Sequence, residues 1–195
     1  MSLSRSALKI CEVAVKHFAQ FGYDASSLAA IAEAAGMRKP SLYAHFAGKD
    51  ALFLQVLEIA LTQEKQVIRT TLVPSAQHLE LPGFVYLDGL EQRYADSSNF
   101  RFLLRTVYAP PVALREEIIT KFHGYESELR QFFAAGMGPS VSENHAKLLT
   151  EAFLGVVDSL QVELIYNAPQ TYRARKEAMC QMLAVFAGSL LPPQN

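Results

Sequence analysis

The residues with the clearest chemical meaning sit in one short run, MRKPSLYAHFAGK, from Met37 to Lys49. Arg38, Lys39 and Lys49 make it a small basic patch with no acid inside it. Tyr43 and Lys49, with Ser27 and Ser41, offer a phenol, an ammonium and hydroxyls suited to phosphate, contacts that fix register without reading sequence. Lys39, Ser41 and His45 are the candidates for base edges, since lysine donates to guanine acceptors and serine pairs with either kind of edge. Pro40 and Ala44 present apolar surface to a thymine methyl, and Arg38 reaches either a base or a phosphate. Taken by itself such a patch is a solvated face, and Tyr43 a packing residue with an exposed tip. Its meaning comes from the elements that would hold it.

Those elements are two short helical patterns with a glycine-bearing turn between them. Ser26 or Ser27 suits a helix N-cap, where a serine oxygen accepts from an otherwise unpaired backbone N–H. Leu28, Ile31, Ala32 and Ala35 follow at helical spacing as a narrow apolar stripe. Gly36 stands where a helix end needs a left-handed residue. Pro40 then suits the first turn of a second helix, where its missing N–H costs nothing. Leu42 and Phe46 turn inward at i and i+4, leaving Lys39, Ser41, Tyr43 and His45 outside. The pattern predicts a helix-turn-helix whose second helix lies in a DNA major groove.

Residues Gly22-Tyr23, Ser26-Ser27, Ile31-Ala32, Ala35-Gly36, Leu42-Tyr43, His45-Phe46, Lys49-Asp50 and Leu52-Phe53 stand in an order and spacing that resembles the N-terminal domain of TetR-type bacterial transcriptional regulators. The resemblance covers roughly the first fifty residues. It departs at Arg38, where such proteins often carry a small hydroxyl residue, and at Ala44, where a bulkier one is common. It implies a three-helix DNA-binding domain followed by a helical domain that binds a small effector and forms the dimer.

Composition is compatible with this. Half of the 195 residues are hydrophobic and 19% are charged, as in a globular chain with a sizeable core. The net charge of −1 argues against a protein that coats nucleic acid without specificity. Residues 1–50 nevertheless hold six basic and four acidic side chains, so the positive charge gathers where the motif lies. Cys11 and Cys180 stand far apart, outside any CxxC or Cys/His cluster, which indicates neither a disulfide framework nor a zinc site. No signal-peptide pattern or membrane-length apolar run is present, and a soluble, cytoplasmic protein without a membrane partner is expected.

The rest of the chain reads as helix, giving an all-α protein of about nine helices. The predicted segments are 5–21, the two helices of the motif, 49–71, 83–96, 97–108, 111–135, 142–166 and 170–190, with breaks at Pro74 to His78, Gly136 to Pro139, Asn167 to Pro169 and Pro192-Pro193. A DNA-binding domain over 1–50 and an effector-binding and dimerisation domain over 51–195 follow. Most of the aromatics beyond residue 80 are core. In this reading a subset, Phe84, Phe100, Tyr108, Phe122, Tyr125 and Phe153, lines an apolar effector pocket, with Arg105 and His123 as its polar groups; the competing reading makes each an ordinary core or surface residue. Phe153, Val156, Val157, Leu160 and Leu164, with Met179, Met182, Leu183 and Phe186, form a second stripe. It either meets a second copy in a two-fold four-helix bundle or faces only its own core, and the resemblance favours the dimer.

The five histidines show no HExxH spacing, and no GxSxG elbow, phosphate-binding loop or dinucleotide loop is present. Neither catalysis, a cofactor nor a metal is expected. The expected function is a ligand-responsive regulator, a repressor, that binds palindromic operator DNA as a homodimer and leaves it when a small, largely apolar effector binds. The rival is an all-helical small-molecule binder or enzyme in which the helix-turn-helix only packs.

Overall fold

The computed structural model describes residues 3–72, 82–139 and 141–190; the loop expected at Pro74 to His78 and the break at Pro192-Pro193 lie outside them. Among the described residues the protein is all helix. Ten α-helices follow in chain order: α1 Arg5–Phe21, α2 Leu28–Ala34, α3 Lys39–Tyr43, α4 Lys49–Thr71, α5 Phe84–Asp88, α6 Leu90–Asp96, α7 Ser98–Tyr108, α8 Arg115–Gly136, α9 Glu143–Ile165 and α10 Pro169–Leu190. The tenth arises because the expected 83–96 helix is interrupted at Gly89, which stays close to helical dihedrals but separates two short helices. Glycine is the residue whose backbone entropy most opposes a continuous helix. Likewise Pro110-Pro111 delays α8, and a single 3₁₀ turn, Val112–Leu114, precedes it. Serines cap four of the helices: Ser4, Ser27, Ser97 and Ser142 each accept from a backbone N–H three residues on.

The chain forms two compact units, Met1–Glu64 with Asp96–His123, and Lys65–Ala95 with Gly124–Asn195. The first has its core where α1 and α7 pack together and α4 joins them. Phe53 of α4 is its centre: the rings of Phe18, Phe102 and Tyr23 lie 4.9, 5.0 and 5.2 Å from it, all edge-on. Such arrangements put the positive edge of one ring on the negative face of another. On α1, Ala7, Ile10, Ala14 and Phe18 are buried, whereas Phe21 is exposed and lies against His17. At the C-terminus of α1 the chain turns through Gly22 at φ +78°, and the Arg105 guanidinium of α7 lies where a Cβ would point, at 3.0 Å. Backbone conformation and close approach therefore both require glycine there.

The second unit is built on the α9–α10 pair. Phe133 of α8 stacks on Phe153 of α9 at 4.1 Å, and the buried hydroxyls of Tyr86 and Tyr125 share a hydrogen bond of 3.0 Å. Gly83, at φ +102°, is pressed on Phe153 so closely that a Cβ would sit 2.5 Å from the ring. The nearly buried carboxylate of Glu163 is matched by Arg175 across the α9–α10 turn. Gly22→Ala combines a left-handed strain with a clash against Arg105. It is expected to cost about 1–3 kcal/mol, readable as a lower urea midpoint at unchanged slope.

Candidate nucleic-acid interface

The site is assembled by α2, the turn after it and α3. Ser27 caps α2, and its oxygen accepts from Ala30 N–H at 3.1 Å, which leaves the hydroxyl hydrogen to donate outward. Ser26 does something else: buried, it donates to Gly22 O at 2.6 Å and lies 2.8 Å from His17 Nδ1. Because the hydroxyl hydrogen is spent on Gly22, Nδ1 must carry the proton donated to Ser26. Leu28, Ile31 and Ala32 bury the inner side of α2. Gly36 ends it at φ +67°, with Met37 N–H donating back to Ala32 O at 2.9 Å.

Arg38 is the N-cap of α3 and Pro40 stands in its first turn. The helix is only five residues long and is held by Leu42 and Phe46, both buried. Everything on its other side is exposed: Arg38, Lys39, Pro40, Ser41, Tyr43, Ala44 and His45. Tyr43 is 48% exposed, and Lys39 Nζ lies 5.9 Å from the centre of its ring. Cation, hydroxyl, phenol and imidazole therefore share one open surface on a short helix with a rigid apolar footing.

Lys49 differs from its expected role. Its ammonium donates to Tyr23 O at 2.9 Å and Ser26 O at 3.2 Å, and lies 4.0 Å from the centre of the Tyr23 ring. Carbonyls in the turn from α1 to α2 attract a cation, and Lys49, at the start of α4, is within reach; Tyr23 O also accepts from Ser26 N–H at 3.2 Å. In this structure the ammonium serves as an internal clamp. Beside it Tyr23 Oη donates to Asp50. Burial first, and the neighbouring Asp50 carboxylate next, push the Tyr23 phenol up to about 12.

The other expected sites are redistributed. Phe100, Arg105, Tyr108, Phe122 and His123 fall in the first compact unit, and Phe84, Tyr125 and Phe153 in the second. Arg105 is an arginine for the carbonyls at the end of α1, donating to Ala19 O and Gln20 O at 3.5 and 3.3 Å. Tyr108 and His123 are exposed, and Phe100 is core. In the expected two-fold stripe, Phe153, Val156, Val157, Leu160, Leu164 and Leu183 are already buried by their own chain. These six belong to the α9–α10 core. Met182 is exposed and Met179 and Phe186 are half-buried, so they lie on the open side.

Fold and surface together define an all-helical helix-turn-helix protein. Residues 10–56 match the family described as bacterial regulatory proteins, tetR family. The chain is 32% identical over 110 residues, 53% of its length and 48% of the relative's, to the transcriptional activator FasR of Mycolicibacterium smegmatis. It is 51% identical over 45 residues, 23% of its length and 21% of the relative's, to the transcriptional repressor ComR of Escherichia coli. The matches thus span about half the length of these curated relatives or less. Among solved structures it resembles the fatty acid degradation regulator FadR from Bacillus halodurans, with TM-score 0.73 and 18% identity over 94% of this chain and 97% of that one. A transcriptional regulator from Aquifex aeolicus is similar too, with TM-score 0.69 and 18% identity over 92% of this chain and 98% of that one. Residues 10–56 thus carry the tetR-family N-terminal domain, and the whole chain shares the fold of these solved regulators. No helix among the described residues is long and apolar enough to cross a membrane.

Two outcomes follow for the clamp. Lys49→Ala removes two charge-assisted hydrogen bonds from a half-buried corner and should lower stability by about 1–3 kcal/mol, seen in thermal or urea melts without any DNA. The second concerns alkaline pH. Burial raises Tyr172 from 10.0 to about 12, and burial with Glu12 raises Cys11 from 9.0 to about 11, alongside Tyr23. Raised values mean that the folded chain holds these protons more tightly than the unfolded one. The stability they lend is complete below pH 9 and drains away as pH climbs through 11 and 12. Melting temperature should fall over that window, and fall less steeply in a Tyr23→Phe, Tyr172→Phe double variant.

Proposed function

We propose that this protein is a transcriptional regulator, a repressor, that binds inverted-repeat operator DNA as a two-fold homodimer and is released by a small, largely apolar effector. The observation that carries the DNA reading is the outer face of α3, where Arg38, Lys39, Ser41, Tyr43 and His45 are exposed together over buried Leu42 and Phe46. Tyr43 and Ser41, with Ser27 at the N-terminus of α2, take phosphates, where a hydroxyl donor and the positive end of a helix act in the same direction. Lys39 and His45 take base edges, and Pro40 and Ala44 meet a thymine methyl. Lys49 acts indirectly, by holding the start of α4. In this division residues 1–50 read the operator and 51–195 regulate and dimerise.

The dimer reading is supported by the open side of the last two helices. Met182 and Val185 are 56% and 76% exposed on α10, and with Phe186 they border a shallow groove of about 560 Å³. Leu148 and Gly155 on α9 and its C-cap Tyr166 are exposed, and nothing lies within 4 Å of where a Gly155 Cβ would be. An apolar surface with a side-chain-free position suits the close approach of a second copy. Effector control is assigned to α4, which contributes 49–64 to the first unit and 65–71 to the second. Driving a dimer from almost wholly competent to almost wholly incompetent takes about 5.5 kcal/mol of preference for the second state. Burial of two or three large apolar groups, at roughly 1.5–3 kcal/mol each, supplies that.

Lys39→Ala is expected to relax discrimination at one base pair of each half-site, costing roughly 1–3 kcal/mol, while Tyr43→Phe weakens binding to all sequences alike. Anisotropy titrations on operator variants separate the two, and parental binding by both would remove α3 from the interface. Val185→Asp places a charge on an exposed face and leaves the core of the chain intact. It should give folded monomers in sedimentation that no longer hold the operator; a stable dimer would move the interface elsewhere.

A further inference from the structure

We propose that Arg105 of α7 is a positioning residue for operator discrimination: it holds the turn between α1 and α2, and through that turn the angle at which α3 is presented. The inference rests on the reading of α3 as the DNA surface. It gives Arg105 a different role from the effector contact expected from the sequence. The residues concerned all lie in the first compact unit.

The run from Ala19 to Ser26 is held from several sides. Arg105 donates to Ala19 O at 3.5 Å and Gln20 O at 3.3 Å. Lys49 donates to Tyr23 O and Ser26 O. Ser26 Oγ donates to Gly22 O at 2.6 Å, with His17 Nδ1 on its other side. Of these groups only Arg105 comes from beyond α4 in the chain. Its footing is firm: Phe102, one helical turn earlier on α7, meets Phe18 of α1 with ring centres 6.1 Å apart, and Gly22 lies one turn beyond Phe18. The α1–α7 contact therefore runs from an apolar pair to a polar end. At that end Nη2, Nε and Cζ of Arg105 stand 3.0, 3.1 and 3.4 Å from where a Gly22 Cβ would be. The guanidinium thus uses the space that a residue without a side chain leaves, and it brings a broad, rigid fork where a lysine would bring a point charge. Gly22, at φ +78°, is where the chain departs from α1 toward α2. Without Arg105 the residue of greatest backbone freedom loses its lateral support. The buried contacts of α2 and α3 remain, so the consequence is a wider range of approach angles for α3 and not unfolding. Phosphate contacts tolerate that range better than base contacts, which need aligned donors and acceptors.

The test compares the intact parent with Arg105→Ala in two measurements. Anisotropy titrations over a salt series give the affinity for an inverted-repeat duplex from the DNA flanking the protein's own gene, and for a scrambled duplex. The variant should lower the ratio of the two affinities about tenfold, the weight of one misaligned base contact. Its slope of log affinity against log salt should stay that of the parent, because Arg105 faces carbonyls and not phosphates. A loss of folded protein would lower both affinities alike, so the ratio separates positioning from stability. Amide hydrogen exchange without DNA is the second reading. The amides of Gly22 and Ser26, bonded to Phe18 O and Tyr23 O, should exchange about tenfold faster in the variant, while those of Ile10 to Val15 on α1 keep their protection. An unchanged ratio, unchanged exchange at both amides, or a salt slope smaller by about 1, the mark of a direct phosphate contact, would each overturn the proposal. A parent that does not distinguish the duplexes would end the DNA reading and this proposal with it. A discriminating parent with an equally discriminating variant ends this proposal alone.

Discussion

A single ammonium closes the corner on which the helix-turn-helix depends. Where α1 ends and α2 begins, the chain turns and leaves the carbonyls of Tyr23 and Ser26 facing inward. Lys49 satisfies both, and the face of the Tyr23 ring adds a third favourable contact for the charge. A hydrogen bond to a charged group is worth about 1.5–3 kcal/mol where it is shielded and less where water competes. The larger consequence is geometric. Lys49 is the first residue of α4, and Phe46, three residues earlier, anchors α3. Lys49 therefore ties the start of α4 to the turn between α1 and α2, and Asp50 repeats the connection by accepting from Tyr23.

Around this corner the first unit is tied by groups whose own needs are met by the same contacts. The unpaired carbonyls at the end of α1 receive Arg105 from α7, as orphan carbonyls at a helix C-terminus require. Phe53 brings α1, α4 and α7 into one aromatic cluster with the Tyr23 ring. The reading face of α3 contributes almost nothing to this core. Its residues are exposed and free of packing duty.

Helix identity and the position of the turn were legible in the sequence because local chemistry decides them. Serine caps, Gly36, Pro40 and the Leu42–Phe46 pair act within a few residues of themselves, and the structure places them accordingly. The Gly89 interruption was less legible, since one glycine inside an apolar pattern perturbs a helix without erasing its period. What periodicity cannot convey is the partner a side chain finds across the fold. Lys49 and Arg105 looked like free charges facing a ligand; both reach backbone carbonyls that close in sequence terms are 23 and 85 residues away. For the same reason α9 reads as one apolar stripe when Val157 is sealed inside its own chain and Gly155, two residues earlier, is open. A helix buried on a broad arc shows a stripe wider than any single interface.

We propose that the exposed face of α3 enters DNA grooves as a two-fold pair. Hydroxyl-radical footprinting on a fragment flanking the protein's own gene tests it most directly. Two protected segments related as an inverted repeat, lying on one face of the duplex with centres about 34–36 Å apart or a multiple of that, are the predicted result, with both protections lost in a variant whose Lys39 and Tyr43 are replaced by alanine. A single protected segment, uniform protection along the fragment, or a footprint that survives the double replacement would contradict it.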